Sequence, residues 1–501
     1  MTDAVMPMAG ADPLAAELAR VWPDHGREIR RPVPVLALLA GLVAAVLVPD
    51  ATPGLGILLT GLAIGAAVLP TVRTRFGVHE AGFAALGVAL LAAVAVRDAP
   101  WFVALCLLGA AGVASFALAP ARTLVGGLLG GVSLPLAAPR SLPWLNRGLR
   151  RHATGAAGRW LAAARITAVT AVLLLVFGSL FAAADAAFAS LVPRPDVGLL
   201  PVRVVTLVVV AGVAVAAAFL GDAPPRWDVV APRPARAVRL VEWLVPIAVL
   251  DALFLTFVTV QLTVLFGGHR HVLETEGLTY AEYARSGFGQ LVVVTLLTLS
   301  VVAATVRFAP RHSRAQRLAL RAALGVLCAL TLVIVVSALS RLHLYEEAFG
   351  FTRLRLFMNA FETWLGVLVL LVLLAGIRLR ARWLAGSVVA TAGAALLVLG
   401  AVNPDQFVAD RNVDRYLATG KLDVGYLQAL SADAVPAVDR LPEPVRSCVL
   451  LGMSGGFAGS ARSAPANAGG VVGFSGWNLG RARAADLLAR HPADSALSCP
   501  T

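Results

Sequence analysis

Arg355, Asn359 and Glu362 stand four and three residues apart in "LRLFMNAFETW". A helix puts all three on one face, with the carboxyl roughly 10 Å along the axis from the guanidinium. In a run this apolar, such a stripe either ties neighbouring helices together or lines a polar pocket, because a carboxylate at that depth is costly unless paired or wet. Arg341 and Tyr345 precede it in "SRLHLYEEAFGF". A second polar group lies in "TYAEYARSGFGQ", residues 279–290. Thr279 and Glu282 have capping-box spacing, while Tyr280, Tyr283 and Gly287 share a stripe that sets rings at headgroup depth as an interfacial anchor. The sharper reading makes Glu282 and Arg285 part of a pocket. Two more acids interrupt apolar runs: Asp185 in "FGSLFAAADAAF", placed near one surface, and Asp251 in "VLDALFLTF", placed near the midplane. Asp251 reads equally as a neutral acid bonded between helices or as a proton or cation site.

The elements that must carry these groups are membrane helices. In 501 residues, hydrophobic residues make up 58% and charged residues 14%, and the mean hydropathy is +0.81; repeated spans fit these values and a soluble chain does not. The net charge of +13 raises a nucleic-acid partner. From Asn403 onward, however, nine basic residues balance nine acidic ones, so the whole excess lies among the apolar runs. It is a topology signal, and no nucleic-acid partner is expected. Apolar runs fall at about 33–48, 54–70, 81–96, 100–119, 164–192, 202–221, 240–266, 288–308, 318–340, 354–377 and 382–402. The fold class is thus an all-α integral membrane protein with about eleven transmembrane helices, or twelve if the Gly- and Pro-broken segment 124–138 also spans.

With a cytoplasmic N-terminus and 124–138 re-entrant or interfacial, 25 arginines face inward and 8 outward. Letting that segment cross would export "RFAPRHSRAQR". Residues 1–32 then form a cytoplasmic tail without a cleavable signal pattern, 33–402 a polytopic membrane domain, and 403–446 a short helical extracytoplasmic region. Residues 447–477 read as a Gly/Ser/Ala-rich flexible linker and 478–501 as a terminal helix and tail, with Asn478 as N-cap. Cys106 and Cys328 sit in spans, whereas Cys448 and Cys499 sit in the tail, where an oxidising compartment lets them pair. His269, His271 and His343 lack a ligand-spaced carboxylate, so no metal is expected. No phosphate-loop, zinc-protease or nucleophile-elbow motif is present, and no cofactor is expected.

Several stretches in order, "FGSLFAAADAAF", "VQLTVLFGG", "TYAEYARSGF", "LSRLHLYEEAFGFTRLR", "NPDQFVADRNVDRY" and "LDVGYLQALSADAVPA", resemble bacterial membrane proteins that carry the domain of unknown function 4173, related to the 4153 group. The resemblance covers about 165–440. It implies a helical integral membrane protein of the bacterial envelope and supplies no catalytic residues. Three functions compete. A transporter or permease would use Asp251 and the Arg355, Asn359 and Glu362 face. An outer-leaflet envelope enzyme would use Asp185, Glu282 or Glu362 as acid or base and Arg285, Arg341 or Arg355 to hold an anion. A sensor or assembly scaffold would bind a protein partner or envelope ligand through the tail. The first is favoured and an enzyme is not. The lipid bilayer is the one partner common to all three.

Overall fold

The computed structural model describes residues 20–22, 29–72, 77–152, scattered positions in 166–185, and residues 198–230, 239–266, 280–378, 381–453 and 471–494. Among them the chain is helical, with no strand. Its membrane helices are α1 (Pro32–Leu47), α2 (Leu55–Val72), α3 (Val78–Val96) and α4 (Pro100–Leu118). After α5 (Leu124–Gly131) and α6 (Ser133–His152) come α7 (Leu200–Asp222), α8 (Leu240–Phe266), α9 (Tyr280–Phe308), α10 (Arg314–Phe349), α11 (Arg353–Arg378) and α12 (Leu384–Val402). Among the described residues nine of these are long and apolar enough to cross a membrane, and α1 is a shorter apolar helix of 16 residues. They coincide with every expected span except 164–192, which falls largely outside the described residues. The chain is a polytopic membrane protein.

Local chemistry sets the boundaries. Pro32, Pro100 and Pro404 each occupy a first helical position, where the missing N–H costs nothing. Ser313 and Gln316 form a capping box that starts α10, and Gly350, with φ of 81°, ends it. With both signals in place α10 runs 36 residues, longer than its apolar stretch at 318–340.

Two sides of the bundle are fixed by contacts. On one, the Trp22 indole donates to the Ala223 carbonyl at 2.7 Å and Trp144 of α6 packs on Phe219. The Asp228 carboxylate also caps α5 there, accepting from the N–H groups of Arg122 and Thr123. On the other, Asp50 pairs with Arg203 and Asp98 with Arg481. Helix α5 has eight residues, about 12 Å of rise, against a hydrocarbon core of ~30 Å. The Ser115 hydroxyl bonds the Gly130 carbonyl and folds α5 back on α4. Helix α5 by itself is therefore too short to cross. Helices α1, α2 and α7 pack together, α3 and α4 pack with α12, and α8 to α11 form a further group.

Beyond Asn403 the chain builds a helical cap: α13 (Pro404–Thr419), α14 (Val424–Gln428), α15 (Val435–Val438), α16 (Val445–Gly452), α17 (Val471–Ser475) and α18 (Leu479–Arg490). Val408, Val413, Leu427, Val449 and Ala484 share its own core. Helix α16 takes the first residues of the stretch read as linker from 447, because Cys448, Val449 and Leu450 are apolar enough to be buried there.

Candidate functional site

Where the cap meets the membrane helices, a polar cluster is fully partnered at its centre. Asp405, 0% exposed, accepts both arms of the Arg353 fork at 2.8 and 2.5 Å. It also takes the Ser431 N–H at 2.9 Å and the Trp101 indole at 3.2 Å. Burial opposes its ionisation, yet the Arg353 fork and the Ser431 N–H outweigh burial and hold its carboxyl below the usual range. Tyr426 accepts the Arg353 N–H at 2.7 Å. A second clamp joins the α3–α4 turn to the cap: Asp98 pairs with Arg481, and Asn478 donates to the Val94 and Arg97 carbonyls at 2.9 and 3.0 Å. The Asp98 N–H donates to Asp433 at 2.7 Å, but the other Asp433 oxygen has no donor. Burial, despite that bond, pushes the Asp433 carboxyl up to about 6, and raises Asp98 as well. A Cβ on Gly480 would lie 2.0 Å from Asp433 Oδ1, so a larger residue would force that carboxyl to turn.

Inside the membrane the polar groups are less satisfied. On α11, Arg355 bonds the Gly350 carbonyl and lies over the Tyr345 ring, 4.3 Å from its centroid. Asn359 donates to Glu346 at 2.7 Å. Glu346, 2% exposed, is the acid that the sequence reading left out, and its signal was the "YEE" pair closing α10. One turn further along α11, Glu362 is 0% exposed, and among the described residues neither oxygen has a hydrogen-bond partner. Its polar neighbour Thr295 gives its own proton to the Leu291 carbonyl.

Arg341 donates to Gln261 of α8 at 2.6 Å, joined by Ser337 at 3.1 Å; Gln261, inside "VQLTVLFGG", is a further residue that sequence reasoning missed. Asp251 sits half-buried on α8 with one oxygen lacking a donor. Asp185 is exposed. Helix α9 starts at Tyr280, but the side chains of Tyr280, Glu282, Tyr283 and Arg285 lie outside the described residues, as do Thr279, His269 and His271. His343 faces Glu347 at 3.2 Å, both exposed.

The structure thus gathers Tyr345, Arg355, Asn359 and Glu346 at the junction of α10 and α11, with Glu362 beneath them. Between α9, α10, α11 and α12 lies a cavity of about 620 Å³, lined by aliphatic side chains such as Leu299, Leu324, Leu368 and Val372. Glu362 stands six residues, about 9 Å, along α11 from Leu368.

The helix set, the buried carboxyls and the apolar cavity define a polytopic helical membrane protein with a docked helical cap. The chain belongs to the family described as "Domain of unknown function (DUF4153)", whose model matches residues 85–441. That is the group related to the 4173 domain named from the sequence, and the match begins earlier than the expected 165. The 4173 domain itself is not shown. No curated protein and no solved structure matches the chain.

Proposed function

We propose that this chain is a permease-like membrane protein in which Glu362 exchanges a proton or cation beside the cavity between α9, α10, α11 and α12. The observation that carries this reading is Glu362 itself. A carboxyl buried in a membrane helix without one donor costs free energy that a purely structural residue would not impose. Asp251, the second acid with an unpartnered oxygen, is the next candidate on the same route. The bias of arginines puts the Trp22 and α5 side at the cytoplasm and the cap outside. Cys448, buried in the cap and disulfide-bonded, supports an oxidising compartment for it. Cys106 and Cys328 are free, and Cys499 is the partner proposed.

A scaffold reading draws on the cap, which has its own apolar core and an exposed face. Proteoliposomes under an imposed pH gradient, read with an internal pH dye, separate the two. The permease reading expects proton flux that Glu362→Gln abolishes and that Asp185→Asn leaves intact. Equal flux in wild type, Glu362→Gln and protein-free vesicles would sink it.

A further inference from the structure

The cavity reaches the α9–α10 and α11–α12 turns beside α5, and that end, its mouth, is basic. Arg311 and Arg321 line it together with Leu320 and Cys328. Arg321 is exposed and Arg311 half-exposed. Among the described residues neither guanidinium has a carboxylate partner; Arg311 reaches only the Val306 carbonyl in the last turn of α9. The interior is aliphatic. From Leu320 at the mouth to Cys328 at the far end is eight residues of α10, about 12 Å of helical rise. One leaflet of hydrocarbon is roughly 15 Å deep, half of the bilayer core.

We infer that this cavity binds one anionic phospholipid of the leaflet on the α5 side. An acyl chain runs up the aliphatic channel, and the phosphate sits between Arg311 and Arg321. The charge match and the depth carry the assignment: two cations with no carboxylate partner among the described residues stand at the end of an aliphatic slot of about leaflet depth. A guanidinium meets a phosphate oxygen with paired donors and is easily stripped of water. A zwitterionic lipid offers the same phosphodiester but adds a quaternary ammonium that the two guanidiniums repel, and a free phosphate would leave the slot empty. The inference uses the cavity of the proposed permease and not the proton at Glu362, so the two can fail separately.

Gly325 and Gly376 line the slot, and a Cβ on either would meet nothing within 4 Å. Leucine at both positions would fill the space without a clash at the backbone. The test is native mass spectrometry of the full chain released from nanodiscs of equal phosphatidylglycerol and phosphatidylcholine. Wild type is expected to retain one phosphatidylglycerol. Arg311→Gln with Arg321→Gln should cut its preference for that lipid roughly 30-fold, two basic contacts' worth. Gly325→Leu with Gly376→Leu should lose both lipids at an unchanged melting temperature. Equal retention of the two lipids by wild type overturns the inference. So does a preference that survives the arginine pair, or a lipid that survives the leucine pair. Retention that is normal in Glu362→Gln, whatever happens to flux, leaves the lipid site standing.

Discussion

Asp405 and Glu362 are equally buried and oppositely served. Each is 0% exposed. Asp405 is met by the Arg353 fork, the Ser431 N–H and the Trp101 indole, whereas among the described residues Glu362 has only the Thr295 hydroxyl nearby, which already donates to Leu291. Donors held by two different units turn a buried carboxylate into a clasp, because removing either partner strands the other. A carboxyl with none gives the fold no such clasp. The cap interface is built for holding, and the proposed exchange rests on the α11 face.

Substitutions should separate the two kinds of acid by the size of their effect on stability. The largest loss is expected from Asp405→Ala, which leaves Arg353 facing a buried gap: about 3–5 kcal/mol, read as a lower thermal midpoint and faster proteolysis of the cap. Cys448→Ser should cost about 2–4 kcal/mol by removing the cap disulfide, and a reductant should then no longer shift the midpoint. The pH response of the cap comes next. Asp433 holds its proton more tightly in the folded protein, at about 6 against 3.8 for the free side chain. Its contribution is thus full below about pH 4 and is lost as pH rises through 6. Asp98 acts in the same direction, while Asp405 acts in the opposite one and withdraws its support as pH falls below 3.8. Asp433→Asn should remove about 1–3 kcal/mol of that pH dependence, measured by hydrogen exchange in α18 at pH 4.5 and 7. The smallest change is expected at Glu362→Leu, within about 1 kcal/mol of wild type or more stable. A loss as large as that of Asp405→Ala would erase the contrast.

Sequence made the helices legible wherever an apolar run, a cap and a breaker agreed, as with Ser313, Gln316 and Gly350 around α10. The shared face of Arg355, Asn359 and Glu362 was equally legible, since helical spacing alone fixes it. What those residues meet was not: the Asn359 bond to Glu346 depends on how α10 and α11 pack. The cap clamps were invisible for a stronger reason. Asp98 finds Ala432 and Arg481 more than 300 residues away, and no local pattern records such a pairing. Gln261 carries a signal, a lone amide in an aliphatic span, but its partner Arg341 lies 80 residues on. The Gly-, Ser- and Ala-rich composition after 447 concealed α16, whose buried "SCVL" turn is held by the cap core rather than by propensity.

The most direct measurement is difference infrared spectroscopy of the protein in lipid during a pH jump, comparing wild type with Glu362→Gln. If Glu362 exchanges a proton, wild type shows a carboxylic carbonyl band that changes with the jump, and that band is missing from the variant. Identical spectra from the two proteins would mean that Glu362 does not titrate in the folded chain, and the permease reading built on it would be wrong.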